Sequence, residues 1–284
     1  MKQILLTFLI LAISQPFLRA QQDPLEFVEV KPGIYEVRGG SGANCGLVVG
    51  AGEVVLIDAK MTLESARALQ EKIAAEIGLP LTRLIISHSD GDHVNGLPAF
   101  PAELPIISHQ GARREMQESF AKNEWQAWLP DLTYEGRLDL HAAGRVIELH
   151  HFGPAHTSGD SVIFLPAEKL AFIGDLIFIG REPLIHRHKG GSARGVAATL
   201  QGILDLGVET VIHGHGNAVG RAEISELLAM YHDRIARVQE MVQDGKSLDE
   251  VKQAFGIAPE EEGAPRRRRP SLVEVIYLEL TEAG

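Results

Sequence analysis

The sequence predicts an α/β protein whose strands deliver polar residues to one edge of the fold. Three observations lead there. Short β-forming runs joined by glycine-bearing turns fill the stretch from Phe27 to Asp58. Twice, a block of such strands is followed by a helical pattern and then by an apolar strand that runs into histidine, at His88 and at His213. The 284 residues, with 45% hydrophobic and 23% charged, have an ordinary globular balance and a length that suits one large domain.

Residues 1–20 read as a secretory signal peptide rather than as part of that fold. Lys2 gives a positive start, Ile4 to Ile13 an apolar core, and Leu18-Arg19-Ala20 a small residue at the cleavage point. The apolar run is shorter than the ~20 residues of a membrane-spanning helix, and Gln21 rather than cysteine follows the cut. The expectation is an exported protein, periplasmic or extracellular, with no stable membrane anchor. β runs follow at 27–30, 33–37, 46–49 and 54–57. Thr62 then caps a helix whose Leu63, Ala66, Leu69, Ile73 and Ile77 share a face, closed by Gly78 and Pro80. Leu84-Ile85-Ile86 has the apolarity of a strand buried on both faces.

Between Pro98 and Gly144 the periodicity weakens. It supports a strand at 106–108, a helix at 110–122, and a small packed excursion around Trp125 and Trp128. Strands return at 146–150, 161–165 and 170–173, and a helix at 193–206 precedes a strand at 210–212. Beyond Gly220, Ile224, Leu227, Leu228, Tyr231, Ile235, Val238 and Val242 form a helical stripe. Ser247 with Glu250, and Ser271 with Glu274, have capping-box spacing. The run 273–280 also alternates as a strand would, so its state stays open. A formal charge of −11 without long acidic runs argues against a nucleic-acid partner. The single cysteine, Cys45, rules out an intramolecular disulfide and reads as a packed thiol. Arg266 to Arg269 reads as a solvated basic loop.

The chemistry gathers at the strand ends. His88-Ser89-Asp90-Gly91-Asp92-His93 packs four candidate metal ligands into six residues as the chain leaves an apolar strand. The alternative for this stretch is a polar turn in which Asp90 or Asp92 caps the next helix. Later joints carry Pro154-Ala155-His156-Thr157, Gly174-Asp175 and His213-Gly214-His215-Gly216. Because ligands collect at strand carboxyl ends in such folds, His88, Asp90, Asp92, His93, His156, Asp175 and His215 form one candidate cluster. Seven groups exceed what one tetrahedral zinc takes and suit two metals sharing a bridging carboxylate.

In order and spacing these motifs resemble the metallo-β-lactamase fold superfamily of metal-dependent hydrolases, over roughly 34–216. Leu56-Ile57-Asp58 is similar to the family's strand-end aspartate, which supports a ligand rather than being one. The resemblance implies an αββα sandwich: two mixed β-sheets face to face, flanked by helices. It implies a catalytic domain over 21–220, with 221–284 as a C-terminal helical extension packed on it. It implies two divalent ions, zinc first, held by His88, Asp90 and His156 and by Asp92, His93 and His215, with Asp175 bridging. The implied activity is hydrolysis of an ester, lactone, thioester or related bond of a small molecule by a hydroxide bridging the metals. Asp92 would be the catalytic carboxylate that orients the nucleophile or moves its proton.

Two departures qualify that picture. The family has histidine where this chain has Asp90; a carboxylate hardens the site and admits iron or manganese. An iron-dependent redox enzyme of the same fold, a dioxygenase or oxygen reductase, is therefore the alternative. Asp175 stands where true β-lactamases carry cysteine or serine, so lactam hydrolysis is not the first expectation, and the net charge disfavours phosphodiesters. The loop 182–191 holds His186, His188 and Lys189, which are expected to meet an anionic group on the substrate. His213 is assigned to support or packing, and His109, His141, His150, His151 and His232 to structure.

Overall fold

Alternation of side chains along each strand decides the architecture. A computed structural model describes residues 23–258 and 269–282. The expected signal peptide and Arg266 to Arg268 of the basic block lie outside the described residues. The first sheet runs in sequential order: β1 (Glu26–Lys31), β2 (Ile34–Arg38), β3 (Cys45–Gly50), β4 (Glu53–Ile57), β5 (Leu81–Ile85), β6 (Ile106–His109) and β7 (Leu132–Tyr134). It is antiparallel as far as β4 and parallel beyond. The second contains β8 (Arg137–Ala142), β9 (Arg145–His150), β10 (Val162–Leu165), β11 (Leu170–Phe172), β12 (Thr210–Ile212) and β13 (Val219–Gly220), and only β11 and β12 pair in parallel.

The helices are α1 (Leu63–Lys72), α2 (Gly91–Val94), α3 (Gln110–Phe120), α4 (Ala193–Asp205), α5 (Arg221–Gln243), α6 (Leu248–Ala254) and α7 (Leu272–Thr281). Helices span the parallel pairs: α1 links β4 to β5 and α3 links β6 to β7 in the first sheet, and α4 links β11 to β12 in the second. Residues that alternate along the strands divide between three buried clusters. Val48, Val55, Ile57 and Ile85 meet Leu149, Ile163, Leu165 and Phe172 between the sheets. Cys45, Leu47, Leu56, Leu84 and Ile86 face Ala66 and Leu69 of α1 and Met116 of α3. On the outer side of the second sheet, Val162, Phe164 and Val211 join Leu200 of α4, Leu228 of α5, and Val275 and Ile276 of α7. The result is the αββα sandwich, and it explains why the core strands read as unbroken apolar runs: both of their faces are covered.

The helix starts follow their caps. Thr62, Ser192, Ser247 and Ser271 each accept from a backbone N–H of the first turn that follows. The run 273–280 is thereby settled as helix α7. Helix α1 continues into a π-helical turn, Ile73–Ile77. Trp128 donates its Nε1–H to the Phe100 carbonyl at 2.9 Å, and Trp125 packs on the first sheet's outer cluster, so this excursion is packed. Cys45 is buried, and burial pushes its thiol pKa up. Strands β7, β8 and β13 are additions to the sequence expectation. Among the described residues, no helix is long and apolar enough to cross a membrane.

Candidate metal centre

Four strand ends converge at one edge. β4 ends in Asp58, β5 leads through Ser87 to His88, β11 leads to Asp175 and β12 to His215. Asp90 occupies the N-cap position of α2, yet its side chain makes no cap hydrogen bond, which removes the capping alternative and frees the carboxylate. The single turn of α2 sends Asp92 and His93 toward the same point. There His215 Nε2 lies 3.0 Å from Asp92 Oδ2 and 3.1 Å from Asp175 Oδ2, and His93 Nε2 lies 3.2 Å from Asp175 Oδ1. Asp92, His93, Asp175 and His215 thus offer ligand atoms within 4.8 Å of one another, and His88, His156 and Asp175 form a second such group. Asp175 belongs to both. Close approach makes the Gly-His-Gly turn necessary: a Cβ on Gly214 would stand 2.1 Å from Asp175 Oδ1.

Hydrogen bonds behind the rings fix which nitrogen faces inward. His93 Nδ1 donates to Asp58 Oδ2 at 2.8 Å, and His156 Nδ1 donates to the Leu184 carbonyl at 2.7 Å. Ser87 Oγ gives its one proton to Asp58 Oδ2 at 2.7 Å, so it accepts from His88 Nδ1 at 3.0 Å. Each ring is thereby held with its Nε2 turned to the centre. His88 Nε2, His93 Nε2 and Asp175 Oδ1 are buried and have no hydrogen-bond partner. Unpaired buried acceptors are costly, and a cation in each of the two groups, with Asp175 common to both, would satisfy all three. The donor set, imidazole and carboxylate, suits borderline cations such as zinc.

Charge follows the same geometry. Burial alone would raise the Asp175 pKa, but the facing His93 and His215 hold it well below the usual carboxylate range. Hydrogen bonds to Asp175 and Asp92 push His215 up to about 9. Burial and the neighbouring His93 drive His88 well below its ordinary value, so it is the neutral ligand of the set.

Asp90 faces His88 and His156 and has two further partners from the loop 182–191. Its Oδ1 accepts from Lys189 Nζ at 2.7 Å, while Oδ2 faces His186 Nε2 at 2.8 Å, His156 Nε2 at 3.1 Å and His88 Nε2 at 3.8 Å. Asp90, His156 and His186 form a third ligand group, which shares His156 with the second. Burial works against its charge, yet these imidazoles hold Asp90 far below the ordinary carboxylate range. Of the residues assigned to a substrate anion, His186 and Lys189 are thus committed to Asp90. His188 is exposed on a groove of about 510 Å³ that it shares with Arg114, Lys122, Ser158 and Lys189. A larger depression, about 770 Å³, lies by the turns at Gly50, Gly144 and Ala167, at the opposite end of the strands.

Several supporting residues escaped the sequence. Glu115 of α3 accepts from Ser89 Oγ and from Ser158 N and Oγ, tying the 88–93 stretch to the turn that carries His156. Asn44 donates its side-chain N–H to Gly216 O at 2.6 Å and its backbone N–H to Gly214 O at 2.7 Å. Lys60 is fully buried and donates to Gly39 O at 2.8 Å and Ala43 O at 2.7 Å. None of these sits in a motif; the one available signal was Asn44 at the end of the glycine-rich run 39–42 that leads into β3. Among the remaining histidines, His109 accepts from Gly111 N at the start of α3 and stacks on His151 at 3.7 Å, and burial lowers its pKa to about 4. His213 donates to Asn217 O at 3.1 Å, and His150 pairs with Glu148 at 2.8 Å.

Known proteins carry the same pattern. The profile of the metallo-beta-lactamase superfamily matches residues 38–215. A linear primary-alkylsulfatase from Pseudomonas sp. is 20% identical over 256 residues, covering 72% of this chain and 48% of that protein. The alpha subunit of a 2,4-dinitroanisole O-demethylase from Nocardioides sp. is 26% identical over 131 residues, covering 45% of this chain and 39% of that protein. The chain thus spans about half or less of the curated relatives it matches. Among solved structures, a metallo-beta-lactamase from Pontibacter korlensis superposes with a TM-score of 0.63 at 18% identity, over 73% of this chain and 99% of that one. The DIM-1 metallo-beta-lactamase gives 0.62 at 17% identity, over 75% and 99%. Because the superfamily profile matches 38–215, well over half of the sequence, the chain belongs to the metallo-beta-lactamase superfamily.

Proposed function

We propose that this protein is an exported hydrolase that uses two divalent metals, zinc first, to cleave an ester, lactone, thioester or related bond of a small molecule. The observation that carries the reading is the set of buried atoms without partners, His88 Nε2, His93 Nε2 and Asp175 Oδ1, on side chains whose other polar atoms are already committed. His88, His156 and Asp90 would hold one ion and Asp92, His93 and His215 the other, with Asp175 between them. When bound, such ions supply Lewis acidity and bring the pKa of a water from 15.7 to about 7.

The chain's own groups do the rest. Asp92 is partly exposed, and its Oδ2 is held 3.0 Å from His215 Nε2, so it is ionised and reachable by a water that it can orient and deprotonate. In the His188 groove Lys189 is taken by Asp90 and Glu115 by Ser89 and Ser158, which leaves Arg114 and Lys122 against Glu118, a balance that favours an anionic substituent on the substrate. Lys189 offsets the charge of Asp90, which weakens the argument that this carboxylate selects iron. The relatives' names add alkyl sulfates and an O-methyl group to the bonds worth assaying.

Elemental analysis of the purified protein, paired with a panel of lactone, ester, thioester, alkyl sulfate and lactam substrates, tests the reading. About two zincs per chain and turnover of one class are expected. His156→Ala and Asp175→Ala should lower both metal content and turnover, and full activity in both variants would sink the site. Iron with oxygen consumption would replace hydrolysis by redox chemistry. For export, the mature protein should begin at Gln21, and an N-terminus at Met1 in the secreted fraction would count against it.

A further inference from the structure

We propose that His186 is itself a metal ligand: the loop after β11 returns to the first metal position the imidazole that Asp90 displaces from the 88–93 motif. This rests on the metal-centre reading above and extends it by a residue that neither the motif nor the family match assigns.

The two oxygens of Asp90 have different tasks. Oδ1 is taken by Lys189. Oδ2 is shared by His186 Nε2 at 2.8 Å and His156 Nε2 at 3.1 Å. Asp90, His156 and His186 offer ligand atoms that all lie within 4.8 Å of one another, a spacing that one cation can span. His156 Nδ1 is engaged by Leu184 O, so Nε2 is the atom that His156 turns to Asp90, as His186 does with its own. Two imidazole nitrogens and a carboxylate oxygen that meet this closely can exchange the protons between them for one cation.

The backbone holds His186 in place for this role. His186 N donates to His156 O at 2.8 Å, and Ser192 N donates to Ala155 O at 2.7 Å, so the loop lies along the turn that carries His156. Gly191 allows that approach, since a Cβ there would stand 2.5 Å from His156 O. Lys189 N and Gly191 N close back onto His186 O at 2.8 and 3.0 Å. The two rings meet edge-on with centroids 4.8 Å apart. A side chain so fixed resembles a preset ligand more than an arm that reaches for substrate.

Cobalt binding to the full chain tests this, followed by visible absorption and by competition with a chelator. Wild type should take up two Co2+ ions. His186→Ala should weaken one of them by more than about tenfold and keep the other, held by Asp92, His93, Asp175 and His215. Added imidazole should restore the lost absorption, which a loop-bracing role would not allow. Two ions at wild-type affinity with an unchanged spectrum in His186→Ala would overturn the assignment while leaving the metal centre standing. No Co2+ uptake by wild type would overturn both. If His186→Ala loses both ions, His186→Asn decides: one ion retained supports the assignment, and two overturn it.

Discussion

Asp58 and Asp160 show how single buried carboxylates act in opposite senses. Asp58 sits at a positive φ of 62° and accepts from Ser87 N, Ser87 Oγ and His93 Nδ1, so it orients two of the inward rings without facing the centre. Asp58→Ala should reduce metal affinity by about 10–100-fold, read by chelator competition, because His93 loses the partner that fixes its tautomer. Asp160 is fully buried, and burial raises its pKa from 3.8 to about 6 despite hydrogen bonds from Thr157. The folded state therefore holds the proton more tightly than the unfolded one between those values. Stability supplied at low pH is lost as pH rises through about 4 to 6, on the order of 3 kcal/mol in full. Urea unfolding of wild type and Asp160→Asn at pH 4.5 and 7.5 should show the variant gaining on wild type at the higher pH. An equal difference at both would refute the shift. The candidate ligands stood out in the sequence because histidines and aspartates cluster at strand ends. Glu115 was not, because its partners Ser89 and Ser158 lie 26 and 43 residues away.

The long core strands and the capped helices were readable because each declares itself locally, by an apolar run or by a serine or threonine three residues ahead of its partner. Ser271→Ala should cost about 1 kcal/mol, measured as a shift in the denaturant midpoint, since the Glu274 N–H loses its acceptor. The 273–280 segment was ambiguous because its apolar residues satisfy both periods. Leu272, Val273, Val275 and Ile276 are all buried against the second sheet's outer face, so tertiary packing chose the helix. β8 was missed for the opposite reason: as an edge strand it alternates exposed and half-buried residues, Arg137, Asp139 and His141 among them, and reads as polar loop. β7 has three residues and β13 two, too few to show a period.

At the scale of the molecule, the centre joins the two sheets, and its ligands come from both. A bound metal therefore ties the halves together. At a thousand times its Kd it adds about 4 kcal/mol, so chelation should lower Tm by on the order of 10 °C, and a Tm indifferent to chelator would speak against a resident ion. Lys60 braces the same junction: its ammonium holds the 39–43 loop, whose Ala43 N donates to Asp92 O at 3.2 Å. Lys60→Met would strand buried carbonyls and should destabilise the fold by at least about 1–3 kcal/mol. The sequence by itself determined the class of fold, the imidazoles and carboxylates of the candidate site and the edge at which they gather, since strand period and residue spacing are local properties of the chain. Only the tertiary structure decided how Asp90 is shared. Its partners Lys189 and His186 lie 99 and 96 residues further on, and no local pattern reports which of two oxygens a distant loop will occupy.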